Sequence, residues 1–125
     1  MVKSMTTNDK RLHKRIDALN LLSYVCIDEN DQVVLQGMGR TLNVSQGGIL
    51  LETHIQMDSK DTVSLTIGLE EGLVDIKGEI AHSSPGKGKG ENYESGIQFL
   101  EMDEPALQVL KKYIKAFKEQ YGSAR

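Results

Sequence analysis

Two short clusters hold side chains that could do chemistry. Lys10-Arg11-Leu12-His13-Lys14-Arg15 sets two guanidinium groups four residues apart, and Asn43-Val44-Ser45-Gln46-Gly47-Gly48 offers an amide, a hydroxyl and two glycines. An arginine fork meets phosphate oxygens, or the O6/N7 edge of guanine, through two parallel hydrogen bonds. Its plane can also stack on a base for roughly 0.5–2 kcal/mol. Lysine supplies charge without the fork. Asn43 can pair with a base edge, and the Ser45 hydroxyl can donate to phosphate or accept from a base amine. Gly47 and Gly48 have no side chain to obstruct a flat base and can adopt positive φ. Together the groups suit a ligand that carries both phosphate and guanine.

The elements that must position these groups follow from hydrophobic period and turn chemistry. Residues 1–10 are polar, and the basic arm at 11–17 precedes the first strand, with Ile16 and Leu19 available to anchor it. Asn20 to Asp28 reads as a strand, Glu29-Asn30-Asp31-Gln32 as a turn, and Val33 to Val44 as the returning strand. Gly37 and Gly39 suggest a bulge or tight bend inside that strand. The turn at Ser45–Gly47 leads into a third strand over 48–53. Val63, Leu65 and Ile67, then Val74, Ile76 and Ile80, each keep one parity, which is period two with one wet face. Residues 84–92 read as a long hairpin loop, with a sixth strand over 93–100. The period then changes: Leu107, Leu110, Ile114, Phe117 and Tyr121 form a helical stripe. Asp103 or Glu104 is its cap, Pro105 lies in its first turn, and its end falls near Gly122. Six strands and a helix predict a mainly β fold: a small six-stranded antiparallel barrel with a C-terminal helix packed on it. An up-and-down barrel would bring the arm and the turn to one rim.

Composition narrows the class. The 125 residues suit one domain, made of an arm (1–19), a barrel (20–100) and a helix (103–121). With no Trp and only two Phe, the core must rest on Val, Ile and Leu. Residues 1–15 carry a local charge of +4; since the total is −3, the remainder carries −7. A basic arm on an acidic body argues against binding a nucleic-acid polymer, which wants a basic face. Cys26, the sole cysteine, excludes an intrachain disulfide and a zinc cage, and reads as a small buried hydrophobe. The absence of an apolar leader or membrane-length stretch leads us to expect a cytoplasmic protein with no membrane partner.

In this order and spacing, the Arg-x-x-x-Arg arm and the Asn-x-Ser-x-x-Gly turn, followed by a strand and a later Gly96-Ile97-Gln98-Phe99 strand, resemble the PilZ domain, a bacterial receptor for cyclic di-GMP. The resemblance covers about residues 10–100. It implies a split, Greek-key-like barrel and ligand contacts by Arg11, Arg15, Asn43, Ser45 and Gly48, with Lys10 and Gly47 as secondary candidates. Lys10 stands where many members have a further Arg, and Asn43 where Asp is common. The resemblance further implies a cytoplasmic signalling adaptor, monomer or homodimer, with cyclic di-GMP as ligand and no other cofactor. The arm would order on ligand and be read by a downstream protein; motility, biofilm and exopolysaccharide control are the outputs usual in the family. The alternative is a PilZ-like domain that binds protein and not the nucleotide.

Other signals carry less. Asn43-Val44-Ser45 also matches a glycosylation sequon, and Ser45 faintly resembles a nucleophile elbow without its strand-to-helix context. Gly86-Lys87-Gly88-Lys89-Gly90 lacks the Gly-Lys-Ser/Thr step of a phosphate loop and reads as solvated. His13, His54 and His82 are scattered, although His13 could stack on a base. Asp28–Asp31 lacks the glycine and distal Glu of a calcium loop. No nucleophile is paired with a base, so an enzyme is not expected. A single-strand nucleic-acid barrel would need clustered strand aromatics that the sequence lacks.

Overall fold

A computed structural model describes residues 20–69, 72–86 and 92–121. Six strands form a closed antiparallel barrel: β1 (Leu21–Ile27), β2 (Val33–Val44), β3 (Gly48–Thr53), β4 (Thr62–Leu69), β5 (Gly72–Pro85) and β6 (Tyr93–Phe99). One helix, α1 (Glu104–Gln120), follows. Around the barrel the order is β1-β2-β3-β6-β5-β4, closed by pairing of β4 with β1. This is not the up-and-down order. Two three-strand meanders join edge to edge, β3 on β6 and β1 on β4, and the chain crosses over between β3 and β4. The crossover is invisible to a periodicity argument, which fixes faces but not neighbours.

Alternation places the core as expected. Leu22, Tyr24 and Cys26 point inward from β1; Ile49, Leu51 and Thr53 from β3; Val63, Leu65 and Ile67 from β4; Ile76 and Ile80 from β5; Ile97 from β6. Each such aliphatic side chain contributes about 1.5–3 kcal/mol on leaving water. Burial pushes the Cys26 thiol up to about 11, helped by the negative charge of Asp61, so it is protonated and inert at neutral pH. Buried hydroxyls have partners: Thr53 Oγ1 donates to the Ile55 carbonyl at 3.0 Å, and the Ser83 and Ser95 hydroxyls lie 2.8 Å apart.

Gly37 and Gly39 do not mark a bulge. Both pair in register with β1, opposite Tyr24 and Leu22. The bulge on the β3 side lies farther on, between Thr41 and Asn43, where Leu42 is the extra residue.

Asp103 caps α1 by accepting from the Ala106 N–H at 3.0 Å, Pro105 stands in the first turn, and Glu104 and Lys118 complement the helix dipole. The buried face is Ala106, Leu110, Tyr113 and Phe117, with Leu107, Ile114 and Tyr121 only partly covered. It is therefore turned from the stripe expected through Ile114. The cause is Tyr113, whose ring is buried and whose hydroxyl lies 3.0 Å from Thr41 Oγ1 of β2. The helix also packs on β4 and β5.

Tyr113→Phe keeps the ring and removes this bond; urea denaturation is expected to show a loss of about 1–2 kcal/mol. Burial pushes the Tyr113 phenol up to about 12, against the lowering pull of the Thr41 bond. The folded protein thus holds this proton after the unfolded chain, titrating near the ordinary value of 10.0, has released it. Stability is expected to fall as pH rises between those two values, and less steeply in Tyr113→Phe.

Candidate functional site

The turn joining β2 to β3 is built by three local bonds. The Ser45 N–H donates to the Gly48 carbonyl at 2.9 Å, closing a hairpin over Gln46 and Gly47. Ser45 Oγ accepts from the Gly47 N–H at 3.3 Å, and Asn43 Oδ1 accepts from the Val44 N–H at 2.9 Å. The last bond fixes which end of the Asn43 amide is free: its Nδ2 has no protein acceptor among the described residues, and it is exposed. Ser45 is exposed as well, and its hydroxyl proton is left to donate. The turn thus offers two outward donors to a ligand.

The Leu42 bulge is what brings Asn43 to the surface. In an unbroken strand, Asn43 would share the inward face of Thr41. The extra residue reverses the parity, so Thr41 and Val44 are both buried while Asn43 faces out opposite Leu50. Asn43, Ser45, Gly48 and Leu50 then line a shallow hollow of about 200 Å³. On the same face, Arg40 holds Glu52 through its Nε at 2.9 Å and an Nη at 2.8 Å.

The two glycines differ. A Cβ on Gly48 would run into the Ile97 carbonyl oxygen of β6, whereas one on Gly47 meets only Ser45 Oγ at 3.9 Å. Neither has φ in the left-handed region. Gly48 is therefore required by strand packing and not by positive φ. The Gly47 carbonyl accepts from the Phe99 N–H at 3.0 Å, which ties the turn to the end of β6.

Lys10, Arg11, His13 and Arg15 lie outside the described residues, as do 87–91 of the glycine–lysine loop. The Asn20 carbonyl accepts from the Thr41 N–H at 2.6 Å. The chain following the arm thus joins β2 two residues before Asn43.

A family model for the PilZ domain matches residues 9–116. The chain belongs to the PilZ domain family. Comparison with curated proteins by sequence gave no match. Among solved structures, the fold is similar to the PilZ domain of YcgR from Escherichia coli with c-di-GMP, at 12% identity and TM-score 0.54, covering 82% of this chain and 86% of that one. It is also similar to K. pneumonia MrkH in its apo state, at 14% identity and TM-score 0.56, covering 82% of this chain and 50% of MrkH. Borreliella burgdorferi PlzA in complex with c-di-GMP matches at 12% identity and TM-score 0.51, covering 90% of this chain and 50% of PlzA. At such identities the likeness is one of fold, and the PilZ chain described here spans about half the length of MrkH and PlzA.

One part of this surface was not foreseen. A larger open groove of about 760 Å³ lies between the turn and α1, with Ser45 and Gln46 on one wall and Lys111, Ile114, Lys115, Lys118 and Glu119 on the other. The lysine spacing of four and three residues was a sequence signal for one helix face. Nothing in the sequence said that this face meets the turn.

Gly48→Ala is expected to destabilise the domain by about 2–3 kcal/mol, as overpacking against backbone does, while Gly47→Ala changes stability by less than about 0.5 kcal/mol. Chemical denaturation of the two variants decides.

Proposed function

We propose that this chain is a cyclic di-GMP receptor acting as a signalling adaptor rather than an enzyme. The observation that carries the reading is the outward pair of donors, Asn43 Nδ2 and the Ser45 hydroxyl, on a turn of the family's Asn-x-Ser-x-x-Gly pattern. Family membership supports it, as do relatives of the same fold solved with c-di-GMP. The ligand would bring four guanine O6 and N7 acceptors and two phosphate charges. Asn43 and Ser45 supply donors to it, and Gly48, with no side chain on the outer face, leaves room for a base. Arg11 and Arg15 supply the guanidinium forks, with Lys10 adding charge and Gly47 adding open backbone.

The covalent geometry permits this. Arg15 precedes Asn20 by five residues, a span of at most about 18 Å, and Arg11 by nine, at most about 32 Å. Asn20 is bonded to Thr41, beside the turn. Arm and turn would close on the ligand from two sides, and a downstream protein would read the closed arm. Cytoplasmic location and control of motility or biofilm belong to this reading.

The test is isothermal titration with cyclic di-GMP, with GTP and cyclic di-AMP as controls. Selective, saturable binding is expected. Arg15→Ala or Ser45→Ala should weaken it, Arg15→Ala by roughly a hundredfold, the effect of losing a bidentate charged contact. Lys77→Gln, on the exposed side of β5, should leave it unchanged. A folded wild-type protein that ignores the dinucleotide would instead favour a protein-interaction domain.

A further inference from the structure

The groove between the turn and α1 is lined by net positive charge on an acidic body. Lys111, Lys115 and Lys118 project from one face of α1 into it, and none forms an ion pair with a described residue. Glu119 is on the same wall, so the groove carries a formal charge of +2 from three lysines and one carboxylate. This stands in a chain whose residues after 15 total −7. Elsewhere the acids gather. The Asp61 carboxyl is raised, first by loss of hydration and then by Asp58, Asp28 and Glu29. Unpaired like charges held along a helix repel one another, a cost that a bound anion would reverse.

The opposite wall is part of the signature turn itself. Ser45 lines both this groove and the small hollow with Asn43 and Gly48. A ligand donated to by the Ser45 hydroxyl is therefore already at the mouth of the lysine groove. Ile114, partly exposed between Lys111 and Lys115, gives an apolar floor on which a base face can rest.

We propose that Lys111, Lys115 and Lys118 form a second wall of the ligand site and take a phosphodiester of a cyclic dinucleotide seated against Ser45. The inference rests on the receptor reading above and extends it: the helix becomes a direct ligand contact, not only a prop for the barrel. Binding would then load α1, whose Tyr113 is bonded to Thr41 on the strand that leads into the turn. Ligand occupancy is thereby coupled to the helix through its own contacts.

The experiment is titration of cyclic di-GMP into wild type and into the triple variant Lys111→Gln/Lys115→Gln/Lys118→Gln, at low and high salt, with Lys77→Gln as charge control. Glutamine keeps the helix propensity and much of the side-chain stem. The triple variant is expected to bind roughly tenfold or more weakly and to lose much of the salt dependence, whereas Lys77→Gln behaves as wild type. Should the triple variant melt early by circular dichroism, Lys115→Gln alone is expected to weaken binding by roughly threefold. Saturable wild-type binding with unchanged affinity and salt response in the lysine variants overturns the second wall and leaves the receptor reading standing. No wild-type binding overturns both.

Discussion

The close approach of β3 to β6 at Gly48 is the constraint on which the site depends. The Ile97 carbonyl occupies the space a Cβ would need, so only glycine lets the two meanders join at this point. The same junction lets the Gly47 carbonyl take the Phe99 N–H. A turn that would otherwise be a free hairpin tip is thus fixed to a strand that closes the barrel. The glycine of the signature is a packing residue first. Its consequence for a ligand is indirect: it leaves the outer face flat and holds the Ser45 and Asn43 donors at a rigid base.

Two further bonds converge on the strand before the turn. Thr41 presents its hydroxyl to Tyr113 of α1 and its N–H to the carbonyl of Asn20. The residues that follow the arm, the strand that carries Asn43 and the C-terminal helix therefore meet at one residue. The first bond is buried, in a medium where a lost hydrogen bond is not replaced by water. Such a junction is a physical basis for linking a ligand at the turn to the position of the helix, without a long chain of intermediaries.

What the sequence made legible follows the physics of each signal. Strands β4 and β5 were found because period two survives wherever one face is wet, and the helix because its cap and its 3.6 period are local. The bulge was misplaced onto Gly37 and Gly39 because glycine is a cue for bulges; the residue actually inserted, Leu42, carries no cue. Only the β3 register reveals that it turns Asn43 outward. The buried face of α1 was read through Ile114 because a run of apolar residues at steps of three and four passes through it, whereas Tyr113 is buried with its hydroxyl bonded to Thr41. The signature residues Asn43, Ser45 and Gly48 were legible as a motif and do lie together, while the lysine groove depends on the β3–β4 crossover and helix docking, both tertiary facts.

The most direct test of the central claim, that the β2–β3 turn is the ligand surface, is mapping of backbone amide shifts in the full chain during titration with cyclic di-GMP. The account predicts the largest changes at Asn43, Ser45, Gly47 and Gly48. Saturable binding that leaves those amides unmoved, with changes gathered instead around Asp28, Asp31 and Asp61, would contradict it.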